Sequence, residues 1–558
     1  MPEQALISAD QQQGHVDMVV VGAGFAGMYM LHKLRKEGFS TRVFESGADV
    51  GGTWYWNRYP GARCDVASLE YSYAFDDNLQ QEWNWTEKFA TQSEILSYLN
   101  HVADRFDLRR DISFNTTVTR AEFDETCNRW IVETDKGEKV SARHLIMATG
   151  CLSASRVPDF KGLESFTGET YHTGRWPHHP VDLSCKRIGV IGTGSSGIQL
   201  IPEVAKVAEH LFVFQRTPTF SVPAANRPLT DEEVREWKAT YPEKRRFARE
   251  EARTGWIPDP AIGPALETPE DVRQAEYEKR WRKGGANFLY AFTDLGTNEE
   301  ANKTAADFVR AKIREIVKDP RTADLLTPRD YPIGTKRICV DTDYYATYNR
   351  DNVTLVDVRS APIECITSKG IKTADAEYEL DVIIFATGFD AMTGALTRLD
   401  LTGANGARLA QKWDAGPTNY LGIMTTDFPN FFMITGPGSP SVLSNVVLSI
   451  EQHVEWLTDL FCYMRANGHG RIEPTREAES AWVEHCRDLA AATLQMRADS
   501  WYLGANVPGK PRVFMPYIGG TSVYRRKCED VARNGYEGFT LFPVVQVEKQ
   551  VEASRRTA

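Results

Sequence analysis

A chain of 558 residues exceeds what one compact core organises, and length alone predicts about three or four domains. With 42% hydrophobic, 25% charged and 11% aromatic residues, the composition is that of an ordinary globular protein and excludes the disordered and collagen-like classes. The formal net charge of -11 argues against bulk nucleic-acid or anionic-membrane binding, because either needs a basic field. Any anionic ligand must therefore be held by local chemistry. Nine cysteines, scattered from Cys64 to Cys528 with no C-x-x-C pair, predict reduced thiols and a cytoplasmic setting. The start, Met1 to Gly14, is polar and lacks the apolar stretch of a secretory signal. No apolar run approaches the roughly 20 residues of a membrane span.

The first informative stretch is Asp17-Met18-Val19-Val20-Val21, which runs into Gly22-Ala23-Gly24-Phe25-Ala26-Gly27 and then the helical pattern Met28 to Glu37. This order predicts a buried strand, a tight glycine turn and a helix. Gly22 permits the bend, Gly24 lets backbone approach a pyrophosphate, and Gly27 lets the helix pack closely on the strand, with Ala26 adding little bulk. The helix start offers N–H groups and a partial positive charge to phosphate. Thr41-Arg42-Val43-Phe44-Glu45 reads as a second strand, and Glu45 stands at roughly the 20-residue offset of a ribose-binding acid.

The arrangement recurs at Lys186 to Ile191, followed by Gly192-Thr193-Gly194-Ser195-Ser196-Gly197 and a helical pattern from Ile198 to Val207. Here the next strand, Leu211 to Phe214, ends in Gln215-Arg216-Thr217 instead of an acid. An acid would repel a 2'-phosphate, whereas Arg216 offers it a permanent, bidentate partner. The second site is therefore expected to prefer NADP to NAD.

Two apolar strands end alike, Leu145 to Gly150 through Ala148-Thr149-Gly150, and Val382 to Gly388 through Ala386-Thr387-Gly388. Each is read as returning the chain from one nucleotide-binding lobe toward the other. Between Pro228 and Asp330 the sequence turns charged and helix-periodic, as in Glu232 to Lys238 and Ala305 to Ile316, which predicts a helical insertion. Asn430 to Gly436 reads as a last buried strand, Ser449 to Arg465 as an amphipathic helix, and the tail from Glu548 as loose. The expected fold class is α/β, with two Rossmann-like dinucleotide-binding domains and a helical insertion. Residues 1–150 and 386–558 form the FAD-binding domain, 151–227 and 331–385 the NADP-binding domain, and 228–330 the insertion within the latter.

Two such turns, one with a ribose acid and one with a basic residue, imply FAD held first and NADPH second. Electrons could then pass to a disulfide, a quinone or oxygen. A disulfide reductase needs a redox-active cysteine pair, and none is suitably spaced. Oxygen is the leading acceptor.

Between the two turns lies Phe166-Thr167-Gly168-Glu169-Thr170-Tyr171-His172-Thr173-Gly174-Arg175-Trp176-Pro177. This stretch resembles the F-x-G-x-x-x-H-x-x-x-W-P fingerprint of type I Baeyer–Villiger monooxygenases, and its Trp-Pro ending is usually missing from the related N-hydroxylating and flavin-containing families. Gly51-Gly52-Thr53-Trp54-Tyr55-Trp56-Asn57-Arg58-Tyr59-Pro60-Gly61-Ala62-Arg63-Cys64-Asp65 and Lys336-Arg337 ahead of Asp343-Tyr344-Tyr345 resemble the same family. The matches run from about Val19 to Trp501, with wording nearest the phenylacetone and steroid monooxygenase branch.

The resemblance implies an enzyme in which reduced flavin and oxygen form a C4a-peroxyflavin whose anion attacks a ketone, giving an ester or lactone, with sulfoxidation as a side activity. A fixed cation in a dry cleft would stabilise the negative adduct, and Arg suits this because it does not lose its proton. Arg337 matches the family's arginine, and Asp65 the acid that pairs with it. Gly52, Thr53, Trp54, Tyr59, Tyr71, Thr149 and Gly150 are placed by the same match with FAD. Lys336, Arg216 and Thr217 match positions that recognise the 2'-phosphate, and Trp501 an aromatic that closes over NADP. His172 and Trp176 fall on the linker that acts in closure. Substrate preference is expected in Gly436 to Ser444, chiefly Ser441, Val442 and Leu443, and at Val446 just beyond. No metal is expected, since no Cys, Asp or Glu completes a ligand set with His178 and His179. The partners implied are a ketone and molecular oxygen, without nucleic acid or membrane, for a monomer or weak homodimer. Two alternatives stay open: an N- or S-oxygenating flavin-containing monooxygenase, and a non-enzymatic flavin-binding or sensor protein.

Overall fold

A computed structural model describes residues 14–544; most of the polar start and the tail from Glu548 lie outside that range. The first strand, Gly14–Val21, pairs in parallel with Thr41–Phe44 on one side and Lys139–Met147 on the other. A strand covered on both edges and both faces needs no polar alternation, which is why Met18, Val19 and Val20 form an unbroken apolar run. Edge to edge, the sheet runs Asp400–Thr402, Val118–Asp124, Arg129–Thr134, Lys139–Met147, Gly14–Val21, Thr41–Phe44 and Ile112–Ser113. Phe431–Met433 completes it by pairing with Leu145 to Met147, so residues from opposite ends of the chain share one sheet.

The second sheet is wholly parallel and has five strands, in the order Val353–Asp357, His210–Gln215, Arg187–Ile191, Val382–Phe385 and Glu169–His172. The strand carrying His172 is thus an edge strand of this sheet, one strand away from the second glycine turn.

Between Ser221–Pro223 and Cys339–Asp341, a parallel pair, the named elements are helical. They include Asp231–Ala239, Tyr241–Glu250, Glu270–Lys283, Glu299–Ile316 and Pro320–Leu326. Their starts are capped: Thr230 and Glu233 form a reciprocal capping box, and Asn298 accepts from the amides of Glu300 and Ala301. The insertion also leans on the first lobe. Arg245 donates to the Glu70 carbonyl at 2.9 Å and to the Ser72 hydroxyl at 2.7 Å, and Lys238 reaches the Asn84 side chain at 2.7 Å. Long basic side chains make these contacts while their helices still read as solvated.

The helix expected over Ser449 to Arg465 runs over Val446–Ala466, starting where Asn445 caps the Val447 amide. It is central instead of amphipathic. Packed between the helices Phe25–Lys36 and Thr521–Arg533, it buries even Glu451, Gln452 and His453.

His144 illustrates what this core tolerates. It is buried beside Phe432 and Phe461, and its Nδ1 has no partner among the described residues. Burial pushes its pKa from 6.5 down to about 3. The unfolded chain therefore takes up a proton below about pH 6.5 that the folded chain refuses until near 3, so stability present above the first value is lost as pH falls toward the second. His144→Phe is expected to flatten the acid limb of stability measured by urea denaturation across that window. An unchanged slope would refute the assignment.

Candidate active site

The two glycine turns are built alike. Gly22 has φ +105° and Gly192 φ +109°, and a Cβ on either would lie 2.6 Å from the Ala148 carbonyl or 2.5 Å from that of Ala386. On Gly27 and Gly197 a Cβ would fall 1.8 and 2.3 Å from the carbonyl of the turn's own first glycine. Only glycine fits there, so each helix lies against its strand and aims its start at the sheet's edge. The helices Phe25–Lys36 and Ser195–Val207 begin at Gly24 and Gly194 with no capping side chain. Their first N–H groups are left for an anionic ligand.

The cradles differ in cover. Gly24 meets Gly52, φ +53°, whose Cβ would lie 2.9 Å from the Gly24 Cα, so two bare backbones abut over the first turn. Gly194 has nothing within 4 Å of its Cβ position, and Gly194 and Ser195 are exposed, with Ser196 half-buried. Glu45 follows its strand directly and is buried, and its carboxylate accepts from the amides of Ala23 at 2.7 Å and Gly47 at 2.6 Å. That places an acid at the rim of the first turn. Ala26 is buried in the helix behind, and Thr149 and the exposed Gly150, φ +72°, follow the strand that ends beside Gly22. These features fit an adenine dinucleotide in each cradle, the first with its ribose toward Glu45.

At the second turn the Thr193 hydroxyl donates to the Thr217 carbonyl at 3.2 Å. Arg216 is exposed beyond it. Lys336 arrives from a different part of the chain, half-buried over the Tyr331 ring at 4.5 Å. Burial and then the neighbouring Arg216 charge hold its pKa below the usual lysine value. A lysine whose charge is disfavoured beside an arginine in this way fits a phosphate between the two.

Next to Lys336, Arg337 turns the other way. Its Nε and one Nη donate to the two oxygens of Asp65, both at 2.8 Å, and the other Nη donates to the Val442 carbonyl at 2.6 Å. Both side chains are about three-quarters shielded, at 25% and 24% exposure. Burial opposes each charge, yet each is held ionised by the other: Asp65 lies below the usual carboxylate range and Arg337 well above its ordinary value. Val442 belongs to the short helical turn Ser441–Leu443, entered through a left-handed Ser441 at φ +37°. The predicted cation, acid and substrate loop are thus brought into one hydrogen-bonded unit.

Trp54 donates to the Tyr71 hydroxyl at 3.2 Å, and both are buried beside Phe25 at the first turn, with Thr53 exposed at the surface. Tyr59 lies elsewhere than expected. It is buried against the second turn's helix and donates to Gln199 at 2.8 Å, so its hydroxyl faces the second nucleotide cradle and not the first. The aromatic loop crosses between the lobes, which its sequence does not reveal. His172 is buried; its Nδ1 accepts from the Gly174 amide at 2.9 Å, and its Nε2 lies 3.2 Å from the Arg156 carbonyl and 3.3 Å from the Thr387 hydroxyl. It joins both returning chain segments. Trp176 is buried against Tyr171 at 5.3 Å. Trp501 is half-buried and packs in the same cluster as Val442 and Leu443, while Val446 is the first residue of its helix, facing the main core.

Two residues at the site carry no signal in the sequence. Tyr502 is buried beside Arg337, and burial raises its pKa to about 12; Tyr290, from the insertion, is raised likewise to about 12 and is also within reach of the Arg337 charge. Tyr290 stands in the helical insertion, and only tertiary packing brings it within reach of Arg337.

The flavin-binding monooxygenase-like family, FMO-like, matches residues 16–226. A Baeyer–Villiger monooxygenase of Pseudooceanicola batsensis is 45% identical over 93% of this chain and 95% of its own. Phenazine N-monooxygenase PhzNO1 of Lysobacter antibioticus is 42% identical over 95% of this chain and 98% of its own. Among solved structures, an oxidised steroid monooxygenase bound to NADP is 55% identical, superimposes with a TM-score of 0.90, and covers 95% of this chain and 99% of that one. With two nucleotide cradles, a half-buried arginine paired to an acid, and such identity along nearly the full length, the chain belongs to the Baeyer–Villiger monooxygenases.

Proposed function

We propose that this protein is an NADPH- and oxygen-dependent flavin monooxygenase that inserts one oxygen atom beside a ketone carbonyl, giving an ester or lactone. Its cofactors are FAD and NADP(H). The observation that carries the reading is Arg337, held by Asp65 on one side and by the carbonyl of the substrate loop on the other. Bound FAD supplies hydride acceptance from NADPH and, once reduced, activation of oxygen. The chain's own residues do the rest. The first cradle would hold FAD through Gly22, Gly24, Gly27, Glu45 and Gly52, and the second NADP through Gly192, Gly194, Ser195 and Gly197. Arg216, Lys336 and Thr217 would bind the 2'-phosphate. Arg337 offers a permanent positive charge where negative charge grows on the attacked carbonyl oxygen, and the shielding around it strengthens that field. Asp65 keeps the guanidinium oriented and makes its burial tolerable. Ser441, Val442 and Leu443 would face the ketone, and oxidation of sulfides is the expected side reaction. No helix among the described residues is long and apolar enough to cross a membrane.

The 42% identity to a phenazine N-monooxygenase supports a second reading, oxygenation at nitrogen. Incubation with NADPH, oxygen and either a cyclic ketone or an aromatic amine, scored by product mass, separates the two. Amine oxide without ester or lactone would overturn the first.

Arg337→Ala is expected to keep NADPH-driven flavin bleaching while ester formation falls by about 100-fold or more, the usual cost of removing a group that stabilises developing charge. Ester yield close to wild type would show the cation to be misassigned. The pair Arg216→Ala with Lys336→Ala is expected to narrow the NADPH over NADH preference in kcat/KM by on the order of tenfold or more, since two charge-assisted contacts to the 2'-phosphate go. An unchanged ratio would refute the phosphate clamp.

A further inference from the structure

His453 has no place in the chemistry above, yet it is fully buried in the central helix with both ring nitrogens engaged. Nδ1 accepts the Thr435 amide at 3.0 Å, and Nε2 lies 2.8 Å from the Tyr524 hydroxyl, which itself donates to the Leu421 carbonyl. Only one proton arrangement satisfies the chain: a neutral ring carrying its proton on Nε2. Burial favours that neutral form. The two ends of the relay are unusual. Thr435 has φ +55° and Leu421 φ +58°, left-handed conformations that a β-branched or bulky residue adopts only when its surroundings impose them.

Both residues support the substrate loop. Ile434 pairs its amide with Met147 at 3.0 Å at the end of the first sheet, and Thr435 then accepts from Cys151 Sγ at 3.1 Å, next to Gly150. Gly436 packs so closely on the turn after Leu421 that a Cβ would lie 2.5 Å from the Gly422 carbonyl. From there the loop runs to Val442, whose carbonyl accepts from Arg337. We infer that His453 is a positioning residue that, through Thr435, holds the Gly436–Ser444 loop so that the Val442 carbonyl stays on Arg337. The inference rests on the role proposed for Arg337. Relaxing Thr435 would let the loop shift and leave the arginine tied to Asp65 alone, which harms oxygen insertion more than flavin reduction.

The test uses the full-length FAD-loaded enzyme and measures two quantities: the rate of flavin reduction by NADPH without oxygen, and ester formed per NADPH consumed with a ketone that wild type converts. His453→Ala is expected to hold the first within about twofold and to lower the second by about fivefold or more. Thr435→Gly makes the left-handed conformation free of strain, so the double variant is expected to recover coupling to within about twofold of Thr435→Gly alone. Unchanged coupling in His453→Ala, or losses that simply add in the double variant, would overturn the inference. If His453→Ala does not accumulate as a flavoprotein, Tyr524→Phe keeps the ring packed and removes the hydroxyl's two hydrogen bonds, to His453 and to the Leu421 carbonyl. A fall in coupling with unaltered reduction then supports the relay, and wild-type coupling refutes it. A wild-type enzyme that yields no ester from any ketone would sink the proposed function instead, and so the two failures are distinguishable.

Discussion

The pairing of Asp65 with Arg337 is the constraint around which the molecule is arranged. Neither charge is tolerable alone in a shielded cleft, and breaking such a pair costs about 3–5 kcal/mol because the survivor stays buried without a partner. The two residues are 272 positions apart, and the third ligand to the arginine, the Val442 carbonyl, lies another 105 further on. Three segments must therefore be delivered to one place. The aromatic loop brings Asp65, the return from the helical insertion brings Lys336 and Arg337, and the strand Phe431–Met433 launches the substrate loop.

The route of the insertion follows from the same demand. The short parallel pair of Ser221–Pro223 with Cys339–Asp341 closes the insertion at its base, so its helices and loops can be added without moving Arg337. Those helices then bear on the first lobe through Arg245 and Lys238 and supply Tyr290 to the cleft. The insertion is a wall of the site as well as an appendage of one lobe.

The net charge of -11 sharpens the meaning of the few cations that matter. Arg216 and Lys336 sit at the exposed second cradle, and Arg337, adjacent in sequence, points into the shielded cleft between the lobes. One dipeptide thus faces two ways, Lys336 toward Arg216 at the second cradle and Arg337 toward the Asp65 carboxylate. The close contact of Gly24 with Gly52 covers the first cradle, while Gly194 leaves the second open, although both turns carry the same glycine spacing.

Much of this was readable from local pattern. The strand, glycine turn and helix at Val21 to Gly27 and at Ile191 to Gly197 are properties of a dozen residues, because only glycine meets the φ and close-approach requirements there. The acid at Glu45 and the base at Arg216 are equally local, since strand length alone sets them at the sheet's edge. The central helix misled because burial on all sides depends on what packs against it, and Glu451, Gln452 and His453 look like a solvated face until their partners are known. Tyr59 misled for a related reason: an aromatic loop does not encode which lobe its hydroxyl will meet. The sequence by itself determined two glycine-turn cradles of opposite polarity, one with an acid at Glu45 and one with a cation at Arg216. Only the tertiary structure decided that Asp65, Arg337 and the Val442 carbonyl meet, because contacts across hundreds of residues are set by packing and by the cost of unpaired charge, which no short-range pattern carries.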